Sequence, residues 1–311
     1  MASLDALGKG LVRDSWAPRT WRTMEVGVKS FHDFLEKCDI CDIGRKAANP
    51  DDIIRYIAFL TIQKKAPSTI NTYVSAISTW HKRHRYADPC DDYDVKRAVK
   101  GVAKAGRKPD SRAPITIALL GKLINALKYV CSSDYENSMF KCAFLMAFFG
   151  LFRIGELVCD SNKKAQRSAM TLDDVHIKKN HMKLRIRYSK TDQTGKSCEI
   201  TIQGSDNEKL CPVYATKCFI AQRGQYAGPL FSHFNQTYLS RFQFNAILKS
   251  AMNFVVPEIT NVKSHSFRIG GATNAVCKGI PYEVIKAMGR WKSDAAKRYI
   301  RMPIIKVSDL T

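Results

Sequence analysis

The sequence predicts a mainly α-helical protein of two domains, in which the second domain also contains a small antiparallel β-meander. Apolar residues recur at helical spacing along most of the chain. One stretch in the second half instead alternates apolar and polar residues, which is typical of strands. A charged segment containing proline and glycine separates two helical regions. A length of 311 residues suits two domains better than one compact core.

The first domain, residues 1–107, is predicted to be all-helical. Its segment NPDDIIRYIAFLTIQKK begins with Asn49 as the helix cap, Pro50 at the first helical position and two acidic residues in the first turn. Two further helices are expected around residues 18–37 and 91–104.

The segment APSTINTYVSAISTWHKRHR predicts a fourth helix, capped by Ser68 or Thr69. Its apolar stripe consists of Ile70, Tyr73, Val74, Ile77 and Trp80. The helix ends in the basic run TWHKRHRY, where Lys82, Arg83 and Arg85 are either a solvated cationic helix end or contacts to DNA phosphates. The charge of the whole chain favours the DNA contacts.

The segment KAGRKPDSRAP predicts a linker, placed at residues 108–114, and a second domain at 115–311. Helices are expected around 116–130 and 138–150. The alternating stretch MTLDDVHIKKNHMKLRIRYSKTDQTGKSCEITI then predicts a three-stranded meander, with turns at KKN and DQTG. Helices are expected to resume near residues 211–223, 238–253, 266–278, 281–289 and 294–301.

The charge of the chain indicates a polyanionic partner. Lysine and arginine number 50 against 28 acidic residues, a formal net charge of +22. Nucleic acid and an anionic membrane surface both fit this charge. The sequence lacks a run near the roughly 18 apolar residues of a membrane span, and MASLDALGKG does not resemble a secretory signal. We therefore expect an intracellular protein that binds nucleic acid and no membrane.

The cysteines and carboxylates give little support to a metal or cofactor. Cys38 and Cys41 form a lone CxxC without a second Cys or His pair at zinc-finger spacing, which favours inert thiols over a zinc site. The sequence also lacks the clustered Asp and Glu residues of a two-metal nuclease. No cofactor is expected.

Two segments place cations at the ends of apolar helices. In FFGLFRIGEL, a buried Arg153 would need a partner, and Glu156 lies three residues further on. In KSHSFRIGGATNAV, His265 and Arg268 share one helical face, and the two glycines allow a ligand or another backbone to approach closely. A structural ion pair and a solvated surface turn would explain each segment alone. Together, the two arginines and the histidine could bind one phosphate.

Four motifs resemble those of the tyrosine recombinase, or phage integrase, family. GLFRIGEL, SKTDQ, HSFR with the following GAT, and MGRWKSDAAKRYIR occur in the order of that family. The resemblance covers about residues 115–303 and implies a catalytic domain there, preceded by a helical core-binding, or SAM-like, domain. HSFRIGGAT and GRWKSDA are most similar to the recombinases of eukaryotic mobile elements.

The resemblance implies a phosphate clamp and a group that handles protons. Arg153 and Arg268 would bind the scissile phosphate, and Glu156 would hold Arg153 in place. His265 would orient the nucleophile or accept its proton. Two guanidinium groups and an imidazole can offset the charge of the transition state without metal.

The resemblance also implies a nucleophile and a general acid. Tyr299 would attack the phosphate, and Lys190 would protonate the leaving 5′ oxygen, with Lys196 as a competing candidate because the hairpin turn could lie around either. Trp291 would donate a hydrogen bond to the phosphate. Trp291 and Tyr299 are eight residues apart, one fewer than is typical of bacterial members.

The implied activity is site-specific DNA recombination or integration through a 3′-phosphotyrosyl intermediate. The implied partners are double-stranded DNA and further copies of the chain, as a dimer on a site and a tetramer in synapsis, located in the nucleus if the host is eukaryotic. A DNA-binding relative that no longer catalyses and a type IB topoisomerase-like enzyme are the alternatives. A plain basic structural protein would have no reason to keep arginines at apolar helix ends.

Overall fold

The computed structural model describes residues 2–38, 47–106, 110–188 and 197–301. The chain divides into two compact units, Met1–Asp110 and Ser111–Thr311. The first unit is helical, and the second combines helices with one small sheet. The predicted mixture of helices with a three-stranded meander is thus confirmed. In the described part of the chain, no helix is both long and apolar enough to cross a membrane.

Five α-helices form the described part of the first unit. They are α1 (Ala2–Asp14), α2 (Pro18–Lys37), α3 (Pro50–Ile62), α4 (Pro67–Arg83) and α5 (Tyr93–Ala105). Their apolar faces enclose a core that includes Phe31, Phe34, Ile53, Tyr56, Ile57, Leu60, Ile70, Val74, Ile77 and Val95. Helix α1, which the sequence analysis did not predict, keeps Leu4, Leu7 and Leu11 exposed and adds nothing to this core.

The starts of α3 and α4 differ in how they are capped. The Asn49 side chain accepts a hydrogen bond from the Asp52 backbone N–H, and the Asp52 carboxylate accepts one from the Asn49 N–H, which confirms the predicted cap. The prediction of Ser68 or Thr69 as the cap of α4 was wrong. Ala66 is the N-cap and makes no side-chain capping bond, because Pro67 already has the φ of the first helical position.

The second unit contains seven α-helices and three strands among its described residues. The helices are α6 (Ile117–Val130), α7 (Asp134–Phe149), α8 (Ile154–Leu157), α9 (Pro212–Arg223), α10 (Arg241–Val255), α11 (His265–Cys277) and α12 (Tyr282–Met288). The strands are β1 (Val175–Ile177), β2 (His181–Ile186) and β3 (Cys198–Gln203). They form an antiparallel sheet in the order β1-β2-β3, with Val175 opposite Leu184 and Met182 opposite Ile202.

Helix α11 lies unusually close to the backbone around it. A Cβ atom on Gly270 would overlap the carbonyl oxygen of Ile115, and one on Gly271 would overlap that of Phe148. The Ile115 backbone N–H donates to the carbonyl of Ser266 at 3.1 Å. The glycines therefore serve backbone packing, one of the two roles that the sequence left open. The start of α11 is therefore packed against both the segment before α6 and the end of α7.

The predicted helix at 294–301 is replaced by a shorter 3₁₀ turn, Asp294–Arg298. Ser293 caps this turn, because its side chain accepts a hydrogen bond from the Ala295 N–H. The Tyr299 N–H donates to the carbonyl of Ala296, and the Arg301 N–H donates to the Thr273 hydroxyl at 3.0 Å. Because the Thr273 side chain takes the Arg301 N–H, the helical bonding pattern ends at Tyr299.

Candidate active site

Three segments of the second unit converge on one cluster of polar and aromatic side chains. They are the turn between α7 and α8, the first turn of α11, and the segment from the end of α12 through the 3₁₀ turn. Six of the residues that the sequence analysis selected lie in this cluster: Arg153, Glu156, His265, Arg268, Trp291 and Tyr299.

Arg268 lies at the centre of the cluster and is completely buried. Its Nη1 donates to the carbonyl of Leu151 and its Nη2 to the carbonyl of Gly289. Its Nε has no hydrogen-bond partner among the described residues. The guanidinium carbon lies 4.2 Å from the centre of the Trp291 ring and 5.2 Å from that of Tyr299. The carbonyls and rings fix the plane of the guanidinium group while leaving some of its five N–H donors unused.

Burial, together with the nearby positive charges of Arg153 and Arg290, lowers the pKa of Arg268 to about 9, against the opposing effect of Glu156. The side chain remains a cation at neutral pH. A cation with little solvent and two like charges nearby is costly in free energy. A bound anion would relieve that cost, so the cluster is suited to a negatively charged ligand.

Arg153 and Glu156 form the ion pair that the sequence predicted. Arg153 Nη1 donates to Glu156 Oε1 at 3.0 Å, and the Arg153 backbone N–H donates to Oε2 at 2.9 Å. The Glu156 side chain is 4% exposed, whereas that of Arg153 is 19% exposed. The carboxylate is therefore the buried anchor, and the guanidinium extends from it to a solvent-accessible position.

Tyr299 lies against both His265 and Trp291. Its hydroxyl oxygen is 3.0 Å from His265 Nε2, and which atom donates depends on the histidine tautomer. The centres of the Tyr299 and Trp291 rings are 5.0 Å apart. The Trp291 ring is buried, and its Nε1–H has no hydrogen-bond partner among the described residues. The 3₁₀ turn thus presents a phenol oxygen next to an imidazole, above the Arg268 guanidinium.

Arg290 belongs to the same cluster, and the sequence analysis missed it. Its Nη2 donates to Glu156 Oε2 at 2.8 Å and to the carbonyl of Leu151 at 3.1 Å. Its Nη1 donates to the carbonyl of Met288 at 2.8 Å and, at 3.3 Å, to that of Gly150. A signal was present in the sequence. Arg290 precedes Tyr299 by nine residues, the spacing that was sought from Trp291.

A second group of contacts that the sequence analysis missed supports the end of β2. Asp174 is buried and accepts hydrogen bonds from Arg185 Nε at 3.0 Å and Arg187 Nε at 2.7 Å. Burial alone would raise the pKa of Asp174, but the hydrogen bonds from Thr171 and the two arginines outweigh it and lower that pKa. The network holds the last residues of β2 onto the turn that precedes β1.

Several residues from the sequence analysis lie elsewhere or outside the description. Lys190, Lys196 and Cys41 lie outside the described residues. Among all the residues that the structure describes, no three His, Cys, Asp or Glu side chains are close enough together to hold a metal ion.

The basic end of α4 is in the first unit and already has partners there. Lys82 Nζ pairs with Asp88 at 2.8 Å and with Asp91 at 3.7 Å. The Arg83 guanidinium lies 4.4 Å from the centre of the Trp21 ring. Arg85 is exposed and has a positive φ of 61°. The acidic partners of Lys82 offset part of the charge that the sequence analysis assigned to phosphate.

The helical first unit, followed by a helical unit with a small meander, is similar in fold to solved tyrosine recombinases. In sequence and in fold, the chain is similar to tyrosine recombinases and integrases. It is 25% identical to the integrase/recombinase XerD homolog of Selenomonas ruminantium over 292 residues, which cover 89% of this chain and 81% of that protein. No protein-family model matches the chain.

Two solved structures show the similarity in fold. A lambda integrase dimer bound to a COC′ core site has a TM-score of 0.64, with 15% sequence identity and 99% of each chain covered. The XerH site-specific recombinase in a post-cleavage complex with a palindromic difH substrate has a TM-score of 0.63. In that comparison the identity is 10%, and 93% of this chain and 78% of XerH are covered.

Proposed function

We propose that the protein is a site-specific DNA recombinase or integrase that cleaves and rejoins DNA through a 3′-phosphotyrosyl intermediate. The observation that carries the proposal is the placement of the Tyr299 hydroxyl, 3.0 Å from His265 Nε2 and above the buried cation of Arg268. A nucleophile, a proton acceptor and a guanidinium group are the parts that transfer of a phosphodiester to tyrosine requires.

The proposed cleavage step exchanges one phosphoester bond for another. The Tyr299 oxygen attacks the scissile phosphorus and loses its proton to His265. The bond from phosphorus to the 5′ oxygen breaks, and that oxygen leaves as a 5′ hydroxyl after protonation. The 3′ phosphate remains joined to Tyr299. Attack by a 5′ hydroxyl of the same or another strand reverses the step, releases the tyrosine and rejoins DNA, so no external energy source is needed.

The proposed clamp stabilises the negative charge of the transition state. Arg268 contributes a guanidinium group whose plane is fixed by two carbonyls, and Arg153 contributes one anchored on Glu156. Preorganised donors in a desolvated site are worth far more than the same donors in water. The indole N–H of Trp291 provides a further donor for the phosphate.

The two units are proposed to divide the work between them. Residues 1–107 would act as a core-binding domain, with Lys82, Arg83 and Arg85 at DNA phosphates, and 115–311 as the catalytic domain. The formal charge of +22 supports double-stranded DNA as the partner. We propose that the chain binds one site as a dimer and forms a tetramer in synapsis. Its substrate would be the DNA of a mobile element, located in the nucleus if the host is eukaryotic.

The first test is DNA cleavage in the presence of EDTA. Because Arg153 and Arg268 supply the positive charge, covalent adduct formation on a nicked suicide substrate should change less than about twofold when divalent ions are chelated. The adduct is measured on a denaturing gel, using a site selected from a random DNA library. Loss of the adduct in EDTA, with recovery on adding magnesium or manganese, would contradict the proposed chemistry.

The same assays separate the alternatives. A DNA-binding relative without activity would select a site but form no adduct. A topoisomerase-like enzyme would relax plasmids that lack the selected site, and would do so as a monomer. Selection of an inverted-repeat pattern would support paired copies of the chain on one site.

Lys190, rather than Lys196, is proposed as the general acid. Lys190 is four residues beyond the end of β2 in the sequence, and Arg187, the residue that follows β2, is held by Asp174. A substrate with sulfur in place of the bridging 5′ oxygen has a better leaving group and needs no acid. It should restore cleavage by Lys190→Ala to within about tenfold of the wild-type rate. Rescue of Lys196→Ala, without rescue of Lys190→Ala, would reverse the assignment.

A further inference from the structure

The Arg290 side chain is buried and makes more hydrogen bonds than an arginine on the surface would need. Its side chain is 8% exposed and donates to three main-chain carbonyls and to the carboxylate of Glu156. Its backbone has a φ of 56°, in the left-handed region that non-glycine residues seldom adopt. A strained backbone and a buried cation at one residue together indicate a functional constraint at this position.

The contacts of Glu156 explain what that constraint achieves. Oε1 accepts the hydrogen bond from Arg153 Nη1, and Oε2 accepts the one from Arg290 Nη2. The buried carboxylate therefore lies between two guanidinium groups, of which only that of Arg153 is partly open to solvent. Oε2 also accepts the Arg153 backbone N–H at 2.9 Å, so Arg290 adds a second, charged donor at that oxygen. Because the terminal torsion of a carboxylate is soft, this second donor restricts its rotation further.

Arg290 also links the segments that carry the cluster. It connects the residues just before Trp291 to the turn of Gly150 and Leu151, through its bonds to their carbonyls. The Leu151 carbonyl also accepts from Arg268 Nη1. One carbonyl thus orients Arg268 and Arg290 together, and one carboxylate orients Arg153 and Arg290 together.

From these contacts we infer that Arg290 is a positioning residue, which fixes Glu156 and, through it, the guanidinium group of Arg153. This inference rests on the proposed function for its catalytic consequence. Arg290 does not need to touch DNA in this role. Its effect on phosphoryl transfer passes through Arg153, so removal of Arg290 should weaken the clamp without changing the contacts that bind DNA.

The test compares two arginines with buried side chains, of which only Arg290 is bonded to Glu156. Arg223 is also buried and also donates to main-chain carbonyls, among them those of Leu230 and Pro229, but it has no bond to Glu156. At saturating DNA, and well below the unfolding temperature of each variant, Arg290→Gln should form the adduct about 30 to 100 times more slowly than the wild type. Arg223→Gln should lose stability but keep its rate within about threefold.

A double-mutant cycle then identifies the path of the effect. Because Arg290 acts through Glu156, the variant carrying both Arg290→Gln and Glu156→Gln should cleave no more than about twofold slower than Glu156→Gln alone. If the rate losses of the two single variants instead multiply in the double variant, the inference is overturned, because Arg290 would then act independently of Glu156. Equal rate losses in Arg290→Gln and Arg223→Gln would also overturn it, because they would indicate general damage to the fold.

A second readout does not depend on activity. Urea unfolding is measured for the wild type, the two single variants and the double variant. The change in the unfolding equilibrium constant of the double variant should differ by about tenfold from the product of the two single changes. If Arg290→Gln does not fold, Arg290→Lys replaces it, because lysine keeps the charge but not the planar fork. Absence of coupling would overturn the inference whether or not the wild type cleaves DNA. Coupling without any adduct from the wild type would instead overturn the proposed function.

Discussion

Replacement of Tyr299 by phenylalanine is expected to reduce covalent adduct formation by at least about 10⁴-fold, because the phenol oxygen is the proposed nucleophile. The substitution removes only that oxygen. The ring contacts with His265, 5.1 Å between centres, and with Trp291, at 5.0 Å, should persist. DNA affinity should therefore stay within about threefold, since phosphate contacts dominate binding. The measurements are the adduct on a denaturing gel and binding to the same nicked substrate.

Tyr282 provides a matched control for this substitution. Its hydroxyl is buried, has no hydrogen-bond partner among the described residues, and belongs to a side chain packed beside the same small core as Tyr299. Tyr282→Phe should keep the wild-type rate of adduct formation. An adduct that persists in Tyr299→Phe would mean that another residue is the nucleophile. Tight binding by the wild type with no adduct would favour the DNA-binding relative.

Local signals in the sequence were sufficient for most of the fold. The Asn49 cap of α3 depends on residues three apart, and the meander on alternation within single strands. Helix α1 was missed because Gly8 and Gly10 lower its helix propensity. Its Leu4, Leu7 and Leu11 have the spacing of a helical stripe, although the structure leaves that stripe exposed.

The site was predictable only as far as its motifs extend. His265, Arg268 and Tyr299 were selected from short stretches, and they do lie together. The sequence could not show that Arg268 is completely buried, because its two carbonyl partners are 117 and 21 residues away along the chain. Arg290 was missed for the same reason. The spacing from Tyr299 could have drawn attention to Arg290, but its partner Glu156 is 134 residues away, so its pairing could not be predicted.

The pairing of Lys82 with Asp88, unlike that of Arg290, could have been predicted from nearby sequence. Both residues are close in sequence, and Asp88 also accepts a hydrogen bond from Ser78 at 2.5 Å. The hydrogen bond and the charge of Asp88 raise the pKa of Lys82, so this cation is stabilised within its own unit. The acidic residues that follow the helix, Asp88 and Asp91, therefore neutralise part of the charge of the basic run.

Replacement of Arg268 by lysine should have the second largest effect on activity. A lysine ammonium is a single point of charge and cannot donate to the Leu151 and Gly289 carbonyls and to a phosphate in the planar arrangement of arginine. It would also lose the stacking under Trp291. We expect adduct formation at saturating DNA to fall by about 10² to 10³-fold, the range for removal of one preorganised donor group. DNA affinity should change by only a few fold.

The buried cation also predicts how wild type and variant respond to a simple anion. Burial lowers the pKa of Arg268 to about 9, which means that folding disfavours its protonated form and that a bound anion would favour it again. Inorganic phosphate should therefore raise the unfolding temperature of the wild type more than that of Arg268→Lys, measured at equal ionic strength with chloride.

Arg223 again provides the control, since burial lowers its pKa as well, but it lies outside the cluster. If the anion acts at the clamp, Arg223→Lys should be less stable than the wild type and yet gain as much from phosphate. The combination of lost cleavage and lost phosphate response in Arg268→Lys alone would locate the anion site at this guanidinium group. An equal response in all three proteins would mean that phosphate acts elsewhere on the basic surface, and Arg268 would then have only a structural role.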